Sequence, residues 1–216
     1  MNKNLTELVF ILDRSGSMAG LEKDTIGGFN SMLEKQKKEP GRALVTTVLF
    51  DHESTVIHDR AELENVRPLT GEEYFVRGST ALLDALGGAI RHIGDVQRGG
   101  REEDRPARTL FVITTDGMEN ASTVYSSREV KQMVEAQKER FGWEFLFLGA
   151  NMDAVSAAAD CGIGADHAVR YSCDSRGTGL NYEVLNDAVC SVRGGRKLSR
   201  AWKERIEEDY RERGDR

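Results

Sequence analysis

Four short runs of the chain are almost wholly apolar and bounded by polar or glycine residues: Leu8 to Leu12, Leu44 to Phe50, Leu110 to Thr114 and Glu144 to Leu148. Unbroken apolar runs of this length suit strands buried on both faces of a sheet. Thr55 to His58 and His167 to Tyr171 alternate more and suit edge strands. Between the runs the apolar spacing changes to three and four. Ile26, Phe29, Met32 and Leu33 share one helix face, which Pro40-Gly41 follows and stops. Leu82, Leu83, Leu86, Ile90 and Ile93 form a second face after Ser79-Thr80. Ser126 and Glu129 predict a capping box at the head of a third helix, with Val130, Met133, Val134 and Phe141 as its stripe. Asp153 to Ala159 predicts a short helix and Leu180 to Val192 a longer one.

At the end of the chain Leu198, Trp202, Ile206 and Tyr210 stand four apart amid alternating charges. That spacing predicts an amphipathic helix over about 196–213 with a solvated outer face, its Trp202 stripe packing on the core. Asp51-His52-Glu53-Ser54 joins two strand runs as a hairpin, with Asp51 expected as a turn residue. Elsewhere strand and helix alternate. The expected architecture is a doubly wound, Rossmann-like α/β fold: a mostly parallel six-stranded sheet, one antiparallel edge strand, helices on both faces. The charged, glycine-rich stretch from Gln97 to Ala107 reads as a mobile surface loop. No repeat or boundary divides the chain, so one domain over 1–216 is expected, its core at about 5–195.

Composition narrows the function classes. A net charge of −6 over 216 residues argues against nucleic-acid binding, which needs a basic surface. Cys161, Cys173 and Cys190 are odd in number and lack paired metal spacing, so a reducing compartment is expected. Met1-Asn2-Lys3-Asn4 runs straight into a strand pattern, with no basic-then-apolar leader, and no apolar run approaches the ~18 residues of a membrane span. These features point to the cytoplasm, with no membrane partner.

In open α/β sheets ligands bind beyond the carboxyl ends of the strands. The polar residues expected there are Asp13-Arg14-Ser15-Gly16-Ser17, Gly78-Ser79-Thr80 and Thr114-Thr115-Asp116-Gly117. They bring two carboxylates and three hydroxyls to one rim, with no nitrogen or thiolate donor. Such a set suits Mg²⁺, Mn²⁺ or Ca²⁺ rather than zinc. Two negative charges leave a divalent ion near neutral and still able to attract an outside carboxylate. His52, His58, His92 and His167 lack any two-histidine ligand spacing on a helix, and the glycines form neither a Gly-x-Gly-x-x-Gly nor a Walker A sequence.

Asp13-Arg14-Ser15-Gly16-Ser17 resembles the Asp-x-Ser-x-Ser signature of the metal-ion-dependent adhesion site in von Willebrand factor A domains, and Thr80 and Asp116 match the family's two other motif positions. Leu148 to Ala154 (Leu-Gly-Ala-Asn-Met-Asp-Ala) further resembles small stand-alone members from bacteria and their phages. The resemblance implies that Ser15 and Ser17 bind the metal directly, and Thr80 directly or through water. It implies that Asp13 and Asp116 act mainly through bound waters, with Asp116 able to approach the metal directly. It implies a binding module, not an enzyme, and a protein partner offering an Asp or Glu carboxylate. Mg²⁺ is the expected ion, with Mn²⁺ or Ca²⁺ as alternatives, because it is abundant in the cytoplasm and suits an octahedron of hydroxyls and waters. In bacterial relatives such partners include chaperone-like ATPases and stress-response assemblies.

Two other readings compete. Asp13 could be the nucleophile of a Mg²⁺-dependent phosphotransferase, though Ser15 stands where that chemistry wants a second aspartate. Alternatively the chain is a metal-independent scaffold, binding through the Trp202 helix or the 97–107 loop. Thr80 could also cap the helix that follows it, and Asp84 is expected as a supporting or surface residue.

Overall fold

Successive side chains of a strand point to opposite faces, and the first run uses both. A computed structural model of the chain describes residues 1–150 and 153–214. Its first strand, β1 (Asn2–Asp13), sends Phe10 and Leu12 into one hydrophobic core and Val9 and Ile11 into another. Next come α1 (Glu22–Gln36), β2 (Arg42–Phe50), β3 (Ser54–Glu62), α2 (Leu82–Gly99) and β4 (Pro106–Thr115). They are followed by α3 (Ser127–Phe141), β5 (Glu144–Ala150), α4 (Ala154–Asp160), β6 (Ala168–Tyr171), α5 (Ser175–Arg193) and α6 (Glu204–Gly214). Among the described residues six strands lie in the order β3-β2-β1-β4-β5-β6, and only the β2–β3 pair is antiparallel. The fold is the expected doubly wound α/β sheet with one antiparallel edge strand.

Helices α1 and α5 cover one face, where Phe29, Met32, Leu185 and Val189 meet Phe10, Leu49 and Leu146. Helices α2, α3 and α4 cover the other, where Leu86, Ile90, Val134 and Ala158 meet Phe50, Ile113 and Phe147. Side chains of this size contribute about 1.5–3 kcal/mol each on full burial, so the central strands are fixed on both sides. Their carboxyl ends, at Asp13, Phe50 and Thr115, therefore sit on a rigid edge.

The capping box at α3 forms: Ser126 Oγ accepts from the Glu129 N–H, and the Glu129 carboxylate accepts from the Ser126 N–H. Phe141, placed on the buried stripe of α3 by its spacing, is 54% exposed. It is the last residue of the helix, and the left-handed Gly142 after it turns the chain into β5.

The stretch from Gln97 to Ala107 is more ordered than a surface loop. Helix α2 continues to Gly99, a 3-10 turn spans Glu102–Asp104, and β4 begins at Pro106. The Arg105 guanidinium donates to the carbonyls of Arg98 and Gly100, tying the strand entry to the helix end.

The C-terminal segment differs from a continuous helix over 196–213. A 3-10 turn covers Arg200–Lys203 before α6, and Leu198 precedes both. The cause is Lys203: it is buried, and its ammonium donates to the carbonyls of Ala165 and Ala168. Trp202 packs against the core and donates its indole N–H to the Asp166 carbonyl, and Ile206 is buried. The segment thus packs on the body beside β6. Of the run Leu148 to Ala154, Asn151 and Met152 lie outside the described residues.

Candidate metal centre

Three loops meet at the carboxyl edge of β1 and β4. Asp13 ends β1, and its carboxylate accepts from the Ser15 N–H at 2.6 Å and from the Thr115 hydroxyl at 2.5 Å. Those two bonds turn the chain sharply after the strand and aim Ser15 and Ser17 across the edge. Tyr74, buried, donates its hydroxyl to the Asp13 carbonyl and fastens the same turn from outside.

The three hydroxyls converge. Ser15 Oγ lies 3.1 Å from Ser17 Oγ, and Thr80 Oγ1 lies 3.0 Å from Ser15 Oγ. All three point at the space over Gly117: a Cβ built there would stand 2.5 Å from Thr80 Oγ1, 3.0 Å from Ser17 Oγ and 3.3 Å from Ser15 Oγ. A side chain at 117 would occupy the hydroxyl cluster. Asp13, Ser15, Thr80 and Asp116 are buried, whereas Ser17 is exposed, so the cluster opens to solvent on the Ser17 side.

Asp116 adds a carboxylate to the same edge. Its Oδ1 is buried without a hydrogen-bond partner, while Oδ2 accepts from the Cys173 thiol at 3.5 Å. An orphaned carboxylate oxygen is costly unless something positive faces it. Burial pushes the Asp13 carboxyl above its ordinary value, against hydrogen bonds from Thr115 and Ser15, and the charge of Asp116 adds to the rise. This edge thus holds two neighbouring carboxylates short of compensating charge. Asp13→Asn should therefore raise the melting temperature of metal-free protein while removing metal binding. A lower melting temperature in chelator would show that the Asp13 charge stabilises the fold by itself.

Thr80 reaches the cluster by a route the sequence hides. It does not cap α2; the cap position is Ala81, which bonds through no side chain. Instead the loop after β4 holds the helix start. Glu119 accepts from the Leu83 N–H at 2.9 Å, Asn120 Oδ1 accepts from the Thr80 N–H at 3.0 Å, and the Thr80 carbonyl accepts from Asn120 and Ala121. Asp84 returns the arrangement, accepting from the backbone of Thr123, Val124 and Tyr125. Its role is to pin this loop, in keeping with a supporting residue.

Asp51 is more than a turn residue. It is fully buried and accepts from Arg14 Nε at 2.8 Å and Arg77 Nε at 2.9 Å, as well as from the Glu53 N–H. Burial would raise its carboxyl, but the Glu53 N–H and the two guanidiniums outweigh that and hold it below its ordinary value. Arg14 is the first variable residue of the Asp-x-Ser-x-Ser run and Arg77 leads into Gly78-Ser79-Thr80, so this clamp locks two of the three loops together. Gly78 allows it: φ is +66°, and a Cβ would stand 2.1 Å from the His52 ring. Asp51, His52 and Glu53 also bring three donor atoms within 4.8 Å of one another. Two guanidiniums already sit on Asp51, so a cation there would meet positive charge.

Searches of family models and of curated proteins return no match to the chain. The fold does match solved structures. One is the proximal thread matrix protein 1 from the mussel byssus with a zinc-occupied MIDAS motif: TM-score 0.60, 14% identity, covering 86% of this chain and 46% of that one. Another is a von Willebrand factor type A protein from Catenulispora acidiphila: TM-score 0.55, 14% identity, 84% of this chain and 42% of that one. A third is the manganese-loaded TRAP protein of Plasmodium vivax: TM-score 0.53, 16% identity, 83% of this chain and 73% of that one. The chain spans less than half the length of the first two. Among the described residues, no helix is long and apolar enough to cross a membrane.

Proposed function

We propose, from the premise that the chain has the von Willebrand factor A fold, that it is a divalent-metal-dependent binding module. Asp13, Ser15, Ser17, Thr80 and Asp116 would hold one Mg²⁺ ion, with Mn²⁺ or Ca²⁺ as possible substitutes. A buried Asp116 oxygen without a hydrogen-bond partner, on the same edge as three converging hydroxyls, is the observation that carries this reading. The donors are all hard oxygens, the class that Mg²⁺ and Mn²⁺ prefer. When bound, the ion supplies a Lewis-acidic point for an anionic oxygen. The chain does the rest: Asp13 fixes the serine turn, Gly117 keeps the hydroxyls apart from carbon, and the exposed Ser17 marks the side from which a partner approaches.

The partner's contribution is an Asp or Glu carboxylate, and chaperone-like ATPases and stress-response assemblies are the partner classes to screen. Asp13 is poorly placed to be a nucleophile, since it is buried and each of its oxygens accepts a hydrogen bond. The reading is therefore of a module without turnover, working in the cytoplasm. A carboxylate-terminated surface should retain the protein in Mn²⁺, and chelator should release it. Equal retention on a hydroxyl-terminated surface, or retention that survives chelator, would remove the metal from recognition.

A further inference from the structure

Two of the exposed large apolar residues, Met1 and Phe141, do not lie at the metal edge. They flank a cavity of about 400 Å³ at the opposite, amino-terminal edge of the sheet, between the ends of α2 and α3 and the start of β4. That volume falls in the lower range of small-molecule sites, ~300–1,000 Å³. Its apolar wall includes Pro106, Ala107, Ala136, Phe141 and Trp143. Trp143 is held rigid by stacking on Phe111 at 5.3 Å, and Gly94 leaves the space in front of it open, with a Cβ there only 4.0 Å from the indole.

The polar part of the lining is cationic in a chain whose net charge is −6. Arg98, Arg105 and Arg140 all border the cavity, with Glu102 as the acid among them. Arg98 pairs with Asp95. Arg105 bonds only carbonyls, and its Nε is buried without an acceptor. Arg140 is exposed and forms no ion pair among the described residues. Three guanidiniums with Glu102 as the only lining carboxylate among the described residues leave the wall beside Trp143 cationic.

We propose that this cavity binds a small organic monoanion, a carboxylate carrying an apolar chain or ring. The carboxylate accepts from Arg105 and Arg140, and the apolar body lies along Trp143 and Ala107. Guanidinium–carboxylate pairs are among the stronger hydrogen-bonded contacts, and the apolar wall suits the chain or ring that a free phosphate lacks. The site is independent of the metal edge.

Octanoate is a suitable probe, with octanol and octylammonium as controls. Titrations are run by calorimetry and by following the indole N–H signals, with chelator present so that no carboxylate is held by metal. Octanoate should bind saturably, one per chain, and shift the Trp143 signal but not that of Trp202. Arg140→Gln, at an exposed position with no ion pair to lose, should weaken it about tenfold, or about 1.4 kcal/mol, and leave octanol unaffected. Adding Arg105→Gln should weaken it further. Octylammonium binding as tightly as octanoate, unchanged affinity in Arg140→Gln, or a shift confined to Trp202 would each overturn the proposal.

Discussion

Gly117→Ala should lower divalent-metal affinity by about 10- to 100-fold although it removes no donor atom. The added methyl would stand 2.5 Å from Thr80 Oγ1 and 3.0 Å from Ser17 Oγ, closer than real Cβ contacts come. Thr80 and Ser17 are side-chain hydroxyls, so the strain is relieved by rotating them away and the fold survives. The backbone of Gly117 is not in the left-handed region, so alanine adds no conformational strain there. The expected phenotype is a chain of near-parental melting temperature in chelator that gains little from Mg²⁺ or Mn²⁺. Parental affinity in this variant would mean that the hydroxyl cluster is only a polar turn.

Asp51→Ala should cost the most stability of any single change at this edge. It strips a buried carboxylate from Arg14, which is 4% exposed, and from the partly exposed Arg77. Breaking a buried ion pair by removing one partner costs about 3–5 kcal/mol, because the other charge stays buried. At ~2–4 °C per kcal/mol for a chain of this size, the melting temperature should fall by about 10 °C. Arg14 keeps bonds to the Glu73 carbonyl and the Thr55 hydroxyl, which limit the loss. Metal affinity should fall as well, since the clamp joins the loops carrying Ser15 and Thr80. Thermal unfolding in chelator separates the effects: a drop below about 2 °C, the surface-pair range, would show that the clamp stabilises little.

The sheet was readable because its central strands are buried on both faces, and such burial leaves unbroken apolar runs such as Leu8 to Leu12 and Phe145 to Leu148. The five candidate ligand positions were readable too, as three of them fall within the Asp13–Ser17 turn and the others follow Gly78-Ser79 and the Leu110 to Thr114 run. The structure brings the three hydroxyls together and places Asp116 with a bare oxygen. What supports them left no local signal. Asp51 bonds residues 37 and 26 positions away, and Glu119 caps a helix that begins 37 residues before it. One clue was available for Asp51: like Asp13 and Asp116, it directly follows an apolar strand at the carboxyl edge.

The shorter C-terminal helix and the order at 97–107 share a cause. Spacing and composition register which residues are apolar or charged, but not which backbone carbonyls lack donors. Lys203 and Arg105 looked like solvated charges, and both serve carbonyls at the ends of neighbouring elements. Phe141 stood at a core spacing but falls in the last position of α3, where the turn into β5 carries it outwards.

The most direct test is a calorimetric titration of Mg²⁺ and Mn²⁺ into metal-free protein, beside an Asp13→Ala/Asp116→Ala variant of verified fold. The account predicts one-site binding by the parent and none by the variant. Comparable heats from the two proteins would contradict it and leave the three hydroxyls as a turn without an ion.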